Sequence, residues 1–234
     1  MRLAAAIALL TAVVGCGTRL FQQYEYEEDL YLSLDGSATI YVNSSLPALN
    51  LLRGTAFDTG LSTPFERDAV LAYFGTPETR VTRVTTSERN GRRFVHVRIA
   101  VDDVAAMGRA APVAWSSYRF GTEGELVSFQ QSVRGTEAEG PLPSGWTGNE
   151  LVAFRVHVPS RVVYHNAGPG NLRRGNILVW EQAMAGRLRG TPLDIDVRME
   201  PASILYLTLW LFGAAAMAVA LTFGGLIWWI VRRP

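Results

Sequence analysis

With 234 residues and a formal net charge of +1, the chain is long enough for one sizeable domain and too evenly charged to hold nucleic acid by bulk electrostatics. All 22 basic residues are arginine, and Cys16 is the single cysteine, so an intramolecular disulfide is excluded. No internal repeat or low-complexity tract interrupts the chain.

The first residues read as a targeting segment. Arg2 supplies a short positive start, and residues 3–14 form an apolar stretch too short to span a bilayer. Val13-Val14-Gly15-Cys16 resembles a bacterial lipobox, with the small Gly15 before a cysteine whose thiol takes a diacylglycerol. Ordinary signal cleavage near Gly17, or an uncleaved anchor, is the competing reading.

Residues 24–34 alternate: Tyr24, Tyr26, Leu30, Leu32 and Leu34 fall on one side, and Glu25, Glu27, Asp29 and Ser33 on the other. That is the period of a half-buried strand. Asp35-Gly36 reads as a two-residue hairpin turn with both positions at positive φ, and Ala38, Ile40 and Val42 continue as the return strand. Residues 46–53 suit a short helix closed by Gly54. Thr63-Pro64-Phe65-Glu66 reads as a capped helix start, with the helix ending at Gly75. Two strands flank Asn90-Gly91, a strong hairpin pair. Asp102 or Asp103 can cap a short helix reaching Met107, and a third hairpin is predicted around Glu123-Gly124. Residues 134–149 are rich in Gly and Pro, a long loop or a linker between subdomains. Strands at 151–158, 161–165, 177–181 and 193–199 follow. The pattern predicts an α+β fold, mainly antiparallel hairpins with two or three short helices.

The end of the chain is apolar. Residues 204–231 carry no charge, and about 20 apolar residues suffice to cross a bilayer core of about 30 Å. Tyr206, Trp210, Trp228 and Trp229 lie near the two ends of this run, where amphipathic rings favour the interfaces. Arg232 and Arg233 follow, which places the C-terminus in the cytoplasm and the preceding domain outside. Ala216, Ala220 and Gly224 form a small-residue face on which another helix could pack.

The chain therefore divides into a lipoprotein signal peptide (1–15), a lipidated tether beginning at Cys16 (16–23), an extracytoplasmic α+β part (24–133), the loop or linker (134–149), a membrane-proximal β part (150–202), a transmembrane helix (203–231) and a cytoplasmic tail (232–234). The expected location is the bacterial cytoplasmic membrane, with one pass.

Signatures of catalysis are nearly absent. No His-Glu-x-x-His pair, cysteine cluster, calcium loop or Gly-x-Ser-x-Gly elbow occurs, so neither a metal nor another cofactor is expected. Gly168-Pro169-Gly170 lacks the rest of a phosphate-loop fingerprint. His96 stands alone on a hairpin arm at the surface. His157 and His165 would meet only if the chain doubles back between them.

The segment Phe154-Arg155-Val156-His157-Val158-Pro159, then Val162-Val163-Tyr164-His165-Asn166, then Ile177-Leu178-Val179-Trp180, runs strand, Asn turn, strand ending in Trp. With the lipobox and the terminal helix it resembles the LppM-type domain of bacterial lipoproteins, although residues 169–175 are inserted after the Asn turn. The resemblance implies a non-enzymatic envelope protein with a lipid or glycolipid ligand. Asn166, as a turn residue or ligand contact, and Trp180 are its marked positions.

Three functions remain open. The first is binding of membrane lipid or another envelope component, with Arg161, Arg173, Arg174, Arg187 and Arg189 meeting anionic headgroups and an apolar pocket facing the Ser203 side. The second is a structural or partner-binding subunit that joins an envelope assembly through its sheet edges or the Ala216/Ala220/Gly224 face. The third is a hydrolase whose composite site combines His157, His165 and a carboxylate.

Overall fold

The structure, a computed structural model, describes residues 23–136 and 142–233. The signal segment and Cys16 lie outside the described residues.

Eleven strands form among them: β1 (Tyr24–Leu32), β2 (Ala38–Ser45), β3 (Arg80–Arg89), β4 (Arg92–Val101), β5 (Ser116–Glu123), β6 (Leu126–Val133), β7 (Leu151–His157), β8 (Ser160–His165), β9 (Leu172–Arg173), β10 (Ile177–Ala183) and β11 (Leu193–Ser203). Four helices accompany them: α1 (Leu46–Arg53), α2 (Arg67–Phe74), α3 (Met184–Leu188) and α4 (Ile204–Arg232). A short 3-10 helix (Val104–Arg109) begins where the Asp103 carboxylate accepts the Ala105 N–H.

A seven-stranded sheet runs in the order β3-β4-β2-β1-β7-β10-β9, and a four-stranded sheet in the order β5-β6-β11-β8. All pairings are antiparallel except β1 with β7. Strands from both sides of residues 134–149 therefore occur in both sheets. That stretch carries the chain from one layer to the other within a single interleaved fold.

Strand parity decides the core. On β1, Tyr26, Leu30 and Leu32 are buried, while Glu27, Asp29 and Tyr31 face outward. Val127, Phe129 and Val133 on β6, with Ile195, Val197 and Met199 on β11, give the matching inner face of the smaller sheet. Leu46, Ala48, Leu49 and Leu52 bury one side of α1, and Val70 and Phe74 do the same for α2. Alternation of period two on strands and an apolar stripe on helices leave one shared interior.

Three local expectations need correction. The β1–β2 connection is not a two-residue turn. Ser33 and Ser37 close it by an N–H to carbonyl bond of 2.9 Å, and only Gly36 has positive φ, at 85°. The Asp35 carboxylate accepts from both the N–H and the hydroxyl of Ser37, which holds the wider turn. Helix α2 starts at Arg67, after Thr63, and Glu66 makes no side-chain cap. The Thr63 and Leu61 carbonyls instead take the Arg93 guanidinium, at 2.9 and 2.8 Å. The third hairpin turns one residue later than expected, since Glu123 still pairs with Leu126.

Candidate functional site

Strand β11 runs directly into α4. Ser203 ends the strand opposite Ser160, and its hydroxyl accepts the Leu205 N–H at 3.2 Å, an N-cap that opens the helix. The Ile204 N–H donates to the Pro159 carbonyl at 3.0 Å. The 29 residues of α4 extend about 43 Å at about 1.5 Å per residue, and its apolar stretch is not covered by other described residues. Arg232 and Arg233 lie 4.6 and 3.4 Å over the rings of Trp228 and Trp229.

Register shows which residues share the end of the domain where α4 begins. Val158 exchanges bonds with Asn176: its N–H donates to the Asn176 carbonyl, and Asn176 Nδ2 donates to its carbonyl. His157 faces Ile177, and Ile177 faces Arg173 across β9. The Arg173-Arg174 turn thus sits a few residues from Pro159. Arg161 lies beside it on β8, paired with Glu200 at 2.5 Å. Arg173 reaches Glu181 at 3.9 Å. Arg174 is exposed and has no ion pair among the described residues. The half-exposed Leu172 adjoins them. These residues make an arginine-bearing rim with an apolar tip at the base of the domain, in which Arg161 and Arg173 are ion-paired and the Arg173 guanidinium is turned along β10 toward Glu181.

The other two arginines do not belong to this rim. Helix α3 follows the far end of β10, where Ala183 faces Leu151. Arg189 is exposed at that end. Arg187 is fully buried. It donates to the carbonyls of Thr191 and Arg134 and lies 5.1 Å over Trp115, so it cannot meet a headgroup. Burial, then the neighbouring Arg53 charge, pushes its guanidinium down to about 10.

Arg187 borders a polar knot in the core. Arg53, the last residue of α1, lies 3.5 Å over Trp115, pairs with Glu28 at 3.1 Å and donates to the Tyr26 hydroxyl. Gln131 donates to Glu28 at 3.2 Å from the opposite sheet. The burial that surrounds the knot drives the Tyr26 and Tyr118 hydroxyls well above their ordinary value. The signal for it was present in the parity of β1, where Glu28 falls between Tyr26 and Leu30.

Asn166 and Trp180 hold each other. The indole Nε1 donates to Asn166 Oδ1 at 3.2 Å, and the same oxygen accepts the Asp196 N–H. Asn166 Nδ2 donates to the Asp194 carbonyl. The asparagine is not at positive φ. It joins the Trp180 strand to β11, so its side chain is held by the fold.

The interior on the Ser203 side, where an apolar pocket is expected from the sequence, is filled among the described residues. Inner faces there are filled by Val156, Val158, Leu178 and Met199, and the apolar concavity of about 710 Å³ runs instead along α4 beside Trp210, Gly213 and Met217. Ala216, Ala220 and Gly224 lie on the exposed surface of the same helix.

The outer face of the large sheet is a polar lattice. Arg155 bridges Glu27 at 2.7 Å and Asp29 at 3.4 Å. His157 stacks on Tyr31 at 3.9 Å, with Asp29 at 3.4 Å from its Nε2. His165 is in the other sheet, opposite Val197, so the composite site expected from His157 and His165 is not assembled. His96, expected to stand alone, contacts Ser87 at 2.8 Å and Asn43 at 2.9 Å. Among the described residues no group of three or more His, Cys, Asp or Glu side chains is arranged to hold a metal ion.

Fold and rim together define an α+β domain, mostly antiparallel, carried on a helix long and apolar enough to cross a membrane. No family model matches the chain, and no curated protein matches it. Among solved structures it is similar to the folded domain of LppM from Mycobacterium tuberculosis, with a TM-score of 0.44 and 12% identity, over 80% of this chain and 95% of that one. The resemblance read from residues 154–180 thus corresponds to a weak likeness of fold.

Proposed function

We propose that the protein is a bacterial envelope lipoprotein whose domain, held on the outer face of the cytoplasmic membrane, binds anionic lipid headgroups through Arg161, Arg173 and Arg174. The carrying observation is the direct passage of β11 into α4, with the three arginines within a few residues of the junction. A helix in the bilayer brings that rim to the headgroup layer, where an arginine free of an ion pair contributes about 1 kcal/mol of attraction to an anionic surface, and Arg161 and Arg173 would exchange Glu200 and Glu181 for headgroups. The rim is a surface for headgroups, and the core behind it is filled among the described residues. Cys16, acylated, would fasten the other end of the domain to the same leaflet.

The test uses the full chain in nanodiscs of mixed phosphatidylglycerol and phosphatidylcholine, with retained lipids counted by native mass spectrometry. Retention should favour phosphatidylglycerol, and R161Q/R173Q/R174Q should abolish that preference. A preference that survives the triple substitution would refute the reading. Arg189→Gln, at the opposite end, should change nothing.

A further inference from the structure

The strongest unassigned constellation is on the outer face at the β3 edge. Ser87 on β3, His96 on β4 and Asn43 on β2 lie across three adjacent strands. Ser87 Oγ is 2.8 Å from His96 Nε2, and His96 Nδ1 is 2.9 Å from Asn43 Oδ1. An amide oxygen only accepts, so Nδ1 carries the imidazole proton and Nε2 offers its lone pair to the serine hydroxyl. Nucleophile, base and orienting acceptor are therefore in the relation that recurs on unrelated folds performing acyl transfer.

The surroundings suit that chemistry. Ser87 is exposed on an edge strand, open to a reactant. The three side chains share an open pocket of about 200 Å³ with Glu27, Arg89 and Phe94. Arg89 lies 4.1 Å over the Phe94 ring and is fixed by a bond to the Tyr24 carbonyl. It sets a positive charge beside the serine, where a developing oxyanion would be stabilised. The volume is below the roughly 300–1,000 Å³ of sites for drug-sized ligands, which selects a short acyl group over a lipid chain. The site is also several register rows from the membrane end, since Asn43 pairs four residues beyond Thr39, which faces Tyr31.

We infer that Ser87, His96 and Asn43 form a hydrolytic site for short-chain carboxylic esters of water-exposed alcohols. The Ser87 Oγ attacks the ester carbonyl while its proton passes to His96 Nε2. The new Oγ–C bond remains as the ester C–O bond breaks, and the proton from His96 leaves with the alcohol. Water, deprotonated by His96, then cleaves the acyl-serine, giving the carboxylic acid and restoring the hydroxyl. Ser87 and His96 are the catalytic residues, Asn43 is a positioning residue, and Arg89 faces the oxyanion.

Burial, then the Arg89 charge, holds the His96 imidazole below its ordinary 6.5, with Glu27 acting in the opposite sense. Arg83 and Arg98 line the neighbouring depression beside His96 and add positive charge. The base is consequently neutral at pH 7, and the rate should rise with pH along a limb centred below 6.5.

The experiment takes the full chain in detergent with p-nitrophenyl acetate and octanoate, and with a fluorophosphonate probe read by peptide mass spectrometry. Expected are a probe adduct on Ser87, hydrolysis of acetate over octanoate, and a loss of at least about 100-fold in S87A and H96A. Because Ser87 is exposed, S87A should keep the parent circular dichroism spectrum. N43D should move the pH limb upward, because a carboxylate beside Nδ1 favours the imidazolium; a limb that stays in place would show that His96 is not the titrating base and would overturn the inference. Absence of a Ser87 adduct, or hydrolysis unchanged in S87A, overturns the inference.

Discussion

Arg53 shows how a single side chain sets the stability of this interior. It brings a charge into a sheet-to-sheet core, and Glu28 is the carboxylate that answers it. Removing one member of a buried pair leaves the other uncompensated, at a cost of about 3–5 kcal/mol, whereas replacing both by apolar groups is often nearly neutral. R53M should therefore lower urea-unfolding stability by about 3–5 kcal/mol, and E28M/R53M should recover much of the loss. Additive losses would show that the two charges do not act as a pair. The burial of Glu28 was legible in the sequence, because it shares parity with Tyr26 and Leu30. The Arg53 end of the contact was not, because it depends on where α1 packs. The Ser87–His96–Asn43 contact was hidden for a similar reason. It crosses three strands whose register the linear order of residues does not state, and each residue alone looks like an ordinary surface group.

Among elements, hairpins with their own local code were the most legible. Asn90-Gly91 has both residues at positive φ, 52° and 67°, as its turn type demands. The Asp35 turn deviated because an aspartate beside Ser37 had a side-chain bond to offer, which stabilises a wider loop. The β1–β7 pairing was invisible in sequence: it joins residues more than a hundred positions apart, in parallel, across the whole of the smaller sheet's first hairpin. The connection between layers imposes its own demand. A Cβ on Gly135 would overlap the backbone of Gly190, and Thr136 beside it donates to the Arg187 and Leu52 carbonyls. Neither partner backbone is a flexible side-chain tip that can yield. Gly135→Ala should therefore destabilise the fold by more than about 2 kcal/mol, measured by thermal unfolding of the full chain. Gly91, whose substituent would meet open space, should suffer only the smaller cost of its positive φ.

For the whole molecule, the terminal run of apolar residues was the plainest feature of the sequence, and the structure leaves it uncovered by the other described residues. In sequence, residues 134–149 read as a loop or as a linker between subdomains; strands from both sides of them share each sheet, because β7 and β10 complete the layer begun by β1–β4. The five arginines proposed from sequence as one headgroup set separate for the same reason. Following β10 from Ile177 to Ala183 carries the chain from the base of the domain to its far end, and sequence proximity between Arg174 and Arg187 says nothing about that distance.

The junction at Ser203 has a mechanical consequence. No linker residues intervene, and the helix's first N–H is tied to Pro159, so a tilt of α4 is passed to both layers as to a single lever. The domain should stand at one fixed inclination and height, with little freedom to swivel. Spin labels at Asn90 and on the bilayer surface should give a narrow distance distribution, and a flexible Gly-Ser insert after Ser203 should broaden it.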